Sequence, residues 1–251
     1  MLLDGKTAVV YGAAGAIGGA VARAFAREGA RVYLAGRTAA TLEAVAADIR
    51  AAGGTADVTV LDALDETAVD AFADRVAAGT GRIDISFNAI AVGDVQGTPM
   101  IEMSLADYLR PIDVSVRSTF ITARAAARHM VKQGSGVVLF FGGDGDPVRD
   151  YSIGGFQVSL AAQEAMRRQL SAELGRHGVR AVTLRTGGIP EAIPDDMPGG
   201  REIVASLTAD TLTGRAATLA DVGDVAAFVA SDRARTMTAA TVNISAGALI
   251  D

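Results

Sequence analysis

The sequence predicts an α/β fold in which helices cover both faces of a seven-stranded, mainly parallel sheet. Short runs rich in β-branched residues alternate with Ala-rich amphipathic stretches along the chain of 251 residues. Such alternation favours right-handed β-α-β crossovers, which place successive strands parallel to one another. Half of the residues are hydrophobic and 21% are charged, so the chain has enough apolar surface for a core. We therefore expect one doubly wound domain over residues 1–251.

Seven short segments have the composition of buried strands, since they are rich in Val, Ile, Leu and Thr. They are residues 7–10, 32–34, 58–61, 83–87, 137–141, 179–184 and 241–244. Helical periodicity fills the intervals, and the predicted helices are residues 15–29, 39–52, 66–78, 104–131, 156–176, 201–209 and 221–231. Two long loops remain, at 142–155 and 187–200. Long loops at the carboxyl ends of parallel strands commonly bind ligands.

Charge and composition exclude several classes of function. A net charge of −6 and a pI of about 5.0 leave no basic surface for nucleic acid. The chain has no Cys, so we expect no disulfide, no thiolate nucleophile and no Cys-ligated metal. Its two His residues, His129 and His177, lie near the ends of predicted helices, where we expect them at the surface. No basic leader and no run of about 18 apolar residues is present, so we expect a cytoplasmic protein without a membrane partner.

A Gly-rich turn follows the first predicted strand and opens the first helix. It reads YGAAGAIG over residues 11–18. A strand, such a turn and a helix N-terminus together direct backbone N–H groups at an anion, with Gly12 and Gly18 allowing close backbone approach. The turn favours a dinucleotide pyrophosphate site. Gly-rich turns between a strand and a helix also occur for purely steric reasons, and this alternative stays open.

The end of the second predicted strand favours a phosphorylated dinucleotide. NAD-binding proteins with this arrangement place a carboxylate there to bind the ribose hydroxyls. This chain has no carboxylate between Gly29 and Ala40, and Arg37 stands in the corresponding place. An Arg binds a 2′-phosphate bidentately, whereas an Asp repels it. We therefore predict NADP(H) in preference to NAD(H); the alternative for Arg37 is a solvated residue at a helix start.

Four motifs stand in order along nearly the whole chain. They are YGAAGAIG at 11–18, LD at 61–62, FNAI at 87–90 and DVGDVA…FVASD…VNISAG between 221 and 247. They resemble the TGxxxGIG turn, the Asp after the third strand, the NNAG segment and the EDVA…FLASD…NVDGG ending of the short-chain dehydrogenase/reductase (SDR) family. The resemblance implies a Rossmann-type sheet, a nicotinamide cofactor and commonly a homotetramer. We expect a homotetramer or a homodimer.

The resemblance also implies which residues bind the cofactor. They follow the carboxyl ends of the predicted strands, at the edge where such sheets bind dinucleotides. They are Gly12, Ala14, Ile17, Gly18, Arg37, Asp62, Ala63, Asn88, Ala89, Ile90, Gly187 and Ile189.

The chain departs from the family at the four positions that perform the reaction. In the family a Tyr gives a proton to the carbonyl oxygen, a Lys lowers its pKa, a Ser polarises the carbonyl and an Asn anchors a water relay. The matching positions hold Phe156, Leu160, Gly143 or Gly142, and Ser115, respectively. Phe156 and Leu160 have the spacing of an apolar seam on one helical face. The motifs also differ from the family at Tyr11, Ala16, Ile90 and Thr186.

Tyr151 is the nearest alternative proton donor. It follows the segment DGDPVRD, whose one cation is Arg149. A nearby positive charge lowers the pKa of a phenol, so Arg149 is the candidate that would lower the pKa of Tyr151. Gly155 stands four residues after Tyr151, so the family's Tyr–Lys pair does not form there. The other interpretation is a surface Tyr in a charged loop. DGDPVRD lacks the Gly and the terminal Glu of a calcium loop, so we predict no metal site.

Two functions from different classes remain open. One is an NADP(H)-dependent oxidoreductase that transfers hydride to or from a small organic substrate by a route outside the family's usual one. Transfer to a carbon that is already cationic, such as an iminium, needs no proton on oxygen. The other is a dinucleotide-binding sensor or partner subunit without catalysis. The sequence does not name the substrate.

Overall fold

A seven-stranded sheet forms the centre of the fold in the computed structural model, which describes residues 1–143, 151–193 and 199–250. The strands are β1 Thr7–Tyr11, β2 Arg31–Gly36, β3 Thr55–Val60, β4 Ile85–Asn88, β5 Gly136–Gly142, β6 Val179–Arg185 and β7 Ala240–Asn243. Their order is β3-β2-β1-β4-β5-β6-β7, and every neighbouring pair is parallel. The predicted fold class is confirmed. The strands β1, β2 and β3 are added towards one edge of the sheet, and β4 to β7 are added towards the other edge. Sheets of this kind bind ligands at the point between β1 and β4 where this order reverses.

Helices connect the strands and cover the sheet. They are α1 Ala16–Arg27, α2 Ala39–Ala51, α3 Glu66–Thr80, α4 Leu105–Gln133, α5 Gly155–Leu174, α6 Gly200–Ala209 and α7 Leu219–Ala230. All seven predicted helices are present among the described residues, with ends that differ by a few residues from those expected. Helix ends are the least certain part of any sequence-based prediction because capping and fraying shift them.

The two faces of the sheet bury separate apolar clusters. One cluster joins Ala8 and Val10 of β1 to α1, α2 and α7. The other joins Val9 and Tyr11 of the same strand to α3 and α4. This division follows from the strand period of two, because successive side chains point to opposite faces. Both faces are therefore covered, as a parallel sheet requires.

A third long loop separates β4 from α4, in addition to the two that the sequence predicts. It spans residues 89–104 and contains no helix or strand. The loop packs against the start of α5: Gly97 N–H donates to the Ser152 carbonyl at 2.7 Å, and Met103 lies against Gly154. The expectation of only two long loops is therefore wrong. The segment contains Gly93, Gly97 and Pro99, so composition did offer a signal for it.

Ion pairs join α3 to α4, which cover the same face of the sheet. Arg124 and Arg128 of α4 contact Asp70 and Asp74 of α3 at 2.7 Å and 3.0 Å. His129 stands near the end of α4, and its Nε2 lies 2.8 Å from Asp74 Oδ1. The hydrogen bond with His129 is the main cause that lowers the pKa of Asp74. These contacts fix α4, which carries part of the site described below.

α4 and α5 approach each other so closely at Gly155 that we expect a small substitution there to have a large effect on stability. A Cβ added to Gly155 would lie 1.8 Å from the Tyr108 carbonyl oxygen. Gly155→Ala must push α5 away from α4, and overpacking of this kind lowers the free energy of unfolding by about 1–3 kcal/mol or more. Urea-induced unfolding measures the change.

Gly79→Ala is the matched control because Gly79 lies in α3 with nothing near its added Cβ. Ala is the better helix former, so this variant is expected to raise the free energy of unfolding by up to about 1 kcal/mol. Equal effects of the two substitutions would contradict the close helix contact.

Candidate functional site

The turn between β1 and α1 is built by close backbone contacts. Gly12 has φ +72°, and its N–H donates to the Ala35 carbonyl at 3.0 Å. A Cβ on Gly12 would lie 2.4 Å from the Ala89 carbonyl oxygen, and a Cβ on Gly18 would lie 2.3 Å from the Gly12 carbonyl oxygen. Both glycines are therefore required by this geometry. The turn leaves a surface of backbone atoms without side chains, which suits the approach of a phosphate.

The N-terminus of α1 has no capping side chain. Its N-cap is Gly15, and its first turn contains no acidic residue. By contrast, Asp65, Ser104 and Thr218 cap α3, α4 and α7 through their side chains. The first amide N–H groups of a helix lack intrahelical acceptors and carry the positive end of its dipole. Exposed Ala14 and half-buried Ile17 stand at this end, which can therefore accept an anion.

Arg37 and Asp62 follow the adjacent strands β2 and β3. Arg37 is exposed and, within the described residues, has no hydrogen bond or ion pair. Asp62 is exposed as well, and its Oδ1 accepts the Leu64 N–H at 3.0 Å. Ala63 beside it is buried, so only its backbone is open to a ligand. Arg37 and Asp62 thus both stand exposed after the carboxyl ends of adjacent strands.

Asn88 holds the turn after β4. Its Nδ2 donates to Thr122 Oγ1 of α4 at 3.1 Å, and its Oδ1 accepts the Ile90 N–H at 2.9 Å. The Ala89 N–H donates to the Tyr11 carbonyl at 3.0 Å. The Asn88 side chain therefore positions the turn that approaches Gly12. Ile90 is partly buried against the cluster on the α3 and α4 side.

Tyr11 contributes packing and no accessible hydroxyl. It is 1% exposed and packs edge-on against Phe72 with the ring centroids 5.9 Å apart. Burial, followed by the charge of Asp70, raises the pKa of Tyr11 well above its ordinary value. The phenol is neutral at physiological pH and faces α3.

The segment after β6 approaches the end of β5. The Thr186 N–H donates to the Gly142 carbonyl at 3.1 Å, and Gly187 packs against Ala248. Ile189 is 5% exposed and belongs to the cluster on the α1 and α7 side. Its side chain is therefore a core residue, and only its backbone is placed to meet a ligand.

Leu160 fills the space beside the end of β5. It is 7% exposed, and Phe156, one turn before it on α5, is half-buried. A Cβ on Gly142 would lie 2.9 Å from Leu160 Cδ2, and one on Gly143 would lie 3.2 Å from Leu160 Cδ1. The structure thus brings Phe156, Leu160 and Gly143 together. Their contact is apolar.

Ser115 of α4 is held by a residue that the sequence did not single out. Ser115 is 1% exposed, and its Oγ accepts Gln163 Nε2 of α5 at 2.7 Å. Gln163 lies seven residues after Phe156, so the two share one face of α5. This spacing is the signal that could have identified Gln163. The pair joins α4 to α5 behind Leu160.

Tyr151 stands before α5 and is 41% exposed. Its hydroxyl oxygen would be 3.9 Å from a Cβ on Gly97, so it lies over the loop after β4. Arg149 and the three Asp residues of DGDPVRD lie outside the described residues. In the part of the chain that is described, no group of three or more His, Asp or Glu side chains could hold a metal ion. Likewise, no described helix is both long and apolar enough to cross a membrane.

Arg185 at the end of β6 is a further charged residue that sequence analysis missed. It is 8% exposed and pairs in register with Gly142. The available signal was a cation that ends the apolar run 179–184 directly before Thr186. The predicted strand ended one residue earlier, at residue 184, so Arg185 was assigned to a loop. The face of the sheet to which its side chain points could then not be inferred.

Known proteins are similar in sequence to this chain over nearly its whole length. A family model described as "Enoyl-(Acyl carrier protein) reductase" matches residues 12–248. A galactitol 2-dehydrogenase of Rhizobium johnstonii is 32% identical over 98% of this chain and 95% of its own length. A D-threitol dehydrogenase of Mycolicibacterium smegmatis is 31% identical over 98% of this chain and 93% of its own.

Solved structures show the same likeness. A short-chain type dehydrogenase/reductase from Mycobacterium marinum is 28% identical with a TM-score of 0.87, covering 99% of this chain and 97% of its own. A short chain dehydrogenase from Burkholderia cenocepacia in complex with NADP is 26% identical with a TM-score of 0.86, covering 99% of both chains. With the motifs, the sheet order and these matches in agreement, the chain belongs to the short-chain dehydrogenase/reductase family.

Proposed function

We propose that the protein is an NADP(H)-binding oxidoreductase that transfers hydride without the family's Tyr–Lys pair. The observation that carries the cofactor assignment is Arg37, an exposed cation without a partner among the described residues, directly after β2. The structure fits a dinucleotide because Gly12 and Gly18 are required by close backbone contacts, so these two positions of the backbone cradle, the turn beside the uncapped N-terminus of α1, carry no side chain that could block a pyrophosphate. When bound, the nicotinamide supplies or accepts the hydride.

The 2′-phosphate preference rests on charge. A guanidinium offers two parallel N–H groups to a phosphate, and no carboxylate between Gly29 and Ala40 competes for it or repels the anion. The NADP complex of the Burkholderia cenocepacia protein supports the same form of cofactor in a structural neighbour. The residues of the cradle bind the pyrophosphate, and Arg37 selects the phosphorylated ribose.

Replacing Arg37 tests the cofactor assignment. Arg37→Ala is expected to weaken NADPH binding by about 1–3 kcal/mol, the range for hydrogen bonds to charged groups, and to leave NADH binding nearly unchanged. Fluorescence titration of each dinucleotide measures the change. Arg27→Ala, which removes an exposed cation at the far end of α1, is the control and should not alter either affinity. Equal affinities of the native protein for NADPH and NADH would contradict the role of Arg37.

The residues at the positions aligned with the family's catalytic set support a route without the family's general acid. Phe156 and Leu160 have no dissociable proton, and Leu160 occupies the space that a side chain at Gly143 would enter. The Ser115 hydroxyl is buried and bonded to Gln163. Loss of a general acid typically costs a factor of about 10²–10⁴ in rate. Ordinary carbonyl reduction should therefore be feeble, while hydride transfer that needs no proton on oxygen is preserved.

Restoring the missing groups tests this interpretation. Phe156→Tyr alone should restore little reduction of simple ketones, because an unassisted phenol has a pKa near ~10. Phe156→Tyr combined with Leu160→Lys and Gly143→Ser should restore measurable reduction with NADPH, since Lys⁺ lowers the phenol pKa. Steady-state NADPH oxidation is the assay, and Tyr151→Phe in the native background is the control. Native turnover of simple ketones at about 1 s⁻¹ or more would overturn the proposal, and a loss of that turnover in Tyr151→Phe would identify Tyr151 as the donor.

A second candidate function is a non-catalytic dinucleotide sensor or partner subunit. The apolar contact of Leu160 with Gly142 and Gly143 favours it, because that contact closes the space beside β5. In this case NADPH binds with Arg37-dependent affinity, and no member of a broad substrate panel promotes its oxidation. Turnover of NADPH with any panel member separates the two candidates.

We also propose that the protein is a homodimer or a homotetramer. Leu109 and Phe120 leave large apolar areas exposed on one side of α4, at 45% and 52%, and Val158 of α5 is 39% exposed. Large exposed apolar side chains of this kind favour an interface, and a second copy of the chain supplies the same helices in a symmetric arrangement.

Sedimentation tests the oligomeric state. The native protein should sediment as a dimer or a tetramer at micromolar concentration, and Phe120→Asp should shift it towards a monomer because a carboxylate is costly in an apolar contact. Ala47→Asp, at an exposed position of α2 away from α4 and α5, is the control for one added negative charge. A monomeric native protein would contradict the proposed assembly.

A further inference from the structure

The helix α6 lies on the protein without being buried in it. None of its ten residues is buried, and its apolar residues Ile203, Val204 and Leu207 are half-buried. Ile203 and Leu207 are four residues apart and therefore share one face of the helix. An amphipathic helix normally packs its apolar face against the core. Among the described residues, this face of α6 is only partly covered.

The apolar face of α6 borders the segment that follows β6. A Cβ on Gly188 would lie 2.6 Å from Leu207 Cδ2, so Leu207 packs directly on this segment. Two residues earlier, the Thr186 N–H donates to the Gly142 carbonyl at the end of β5. Gly142 in turn contacts Leu160 of α5. α6 therefore stands near the positions aligned with the family's catalytic set.

The C-terminal turn also borders this segment. A Cβ on Gly187 would lie 2.7 Å from Ala248 Cβ and 3.9 Å from Leu249 Cγ. Hydrogen bonds hold the turn, since Asn243 Nδ2 donates to the Leu249 carbonyl at 2.8 Å and the Leu249 N–H donates to Ser245 Oγ at 3.0 Å. Leu249 itself is half-buried. A fixed turn thus presents a partly exposed apolar residue next to Gly187.

We propose that the protein acts on a substrate with an uncharged hydrocarbon body, which lies against Phe156, Leu207 and Leu249. These three half-buried residues are called the apolar slot below. Phe156 stands one turn before Leu160 on α5, so its side chain lies on the same face of that helix. A hydrocarbon body in the slot removes apolar surface of both partners from water, which is favourable. The inference rests on the proposed function, because it takes the hydride to be transferred beside Phe156.

The same contacts disfavour a polyhydroxylated substrate. A hydroxyl group that moves from water to an apolar surface loses hydrogen bonds, and the side chains of Phe and Leu return none. 1-Hexanol and galactitol have the same number of carbon atoms and differ in their number of hydroxyl groups. They are the matched pair for the test, and 1-butanol and 1-octanol complete an alkyl series.

The first experiment is a calorimetric titration of the protein saturated with NADP⁺, whose own binding is measured beforehand. Affinity should rise about two- to fourfold for each added CH₂ from 1-butanol to 1-octanol, because each CH₂ that enters the slot leaves water. 1-Hexanol should bind at least about tenfold more tightly than galactitol.

Hydrogen exchange separates the slot from other apolar surfaces of the protein. A ligand against Leu207 covers the free face of α6 and should slow the amide exchange of residues 200–209 at least about twofold. Exchange in α2, whose apolar residues belong to the core, is the internal reference and should not change. Galactitol at the same concentration as 1-octanol should leave both helices unchanged.

Variants assign the effect to the slot. Leu207→Ala should lower the 1-octanol affinity about fivefold and leave NADP⁺ binding unchanged. Ala205→Gln, at an exposed position of the same helix, is the matched control and should change neither. Leu249→Ala keeps the backbone hydrogen bonds of the C-terminal turn and should lower the 1-octanol affinity to a similar extent. The assignment therefore does not depend on the folding of one variant.

Three outcomes overturn the inference. They are equal affinities across the alkyl series, tighter binding of galactitol than of 1-hexanol, and an unchanged 1-octanol affinity in Leu207→Ala and Leu249→Ala. If NADP⁺ binds in these cases, the proposed function stands and only the substrate class fails. If NADP⁺ does not bind the native protein, the proposed function itself fails, and the alkyl series on the free protein then decides whether the slot binds hydrocarbon by itself.

Discussion

The rest of the site depends on the backbone contact between Gly12 and Ala89. No side chain fits between the turn after β1 and the turn after β4, because the Ala89 carbonyl oxygen occupies the place of a Cβ on Gly12. Asn88 holds the second turn to α4 through Thr122, and Gly18 closes α1 onto the first turn. The crevice at the reversal point of the sheet is therefore fixed by glycines and one amide side chain.

The two halves of the site differ in chemistry. The dinucleotide half keeps an uncapped helix, a backbone cradle and a free cation at Arg37. The half aligned with the family's catalytic positions has Leu160 packed against Gly142 and Gly143, and its Ser115 hydroxyl is buried and bonded to Gln163. The features that favour dinucleotide binding are therefore present, whereas the position aligned with the family's proton donor is apolar.

Sequence alone predicted the sheet and the helices, because these follow from the periodicity of apolar residues. It did not find the loop 89–104, whose fold depends on contacts such as Gly97 with Ser152. Nor did it find Gln163 or Arg185. Their significance arises only when α4, α5 and β6 are brought together, and a polar residue in an amphipathic helix or at a strand end usually faces solvent. Whether such a polar residue faces solvent or another element depends on packing between segments that are distant in the sequence, and a local sequence pattern carries no information about that packing.

The contact between Leu160 and the end of β5 also constrains the order in which this site can change by mutation. A Ser arriving first at Gly143 would bring a Cβ to 3.2 Å from Leu160 Cδ1, so the Leu160 side chain must shift by a few tenths of an ångström. A Lys arriving first at Leu160 would bring its ammonium group into a position that is only 7% exposed, where an unpaired charge is costly. Each single step back towards a polar site therefore carries a cost by itself. The contact of Leu160 with Gly142 and Gly143 therefore makes a stepwise return to the family's polar catalytic residues unfavourable at each first substitution.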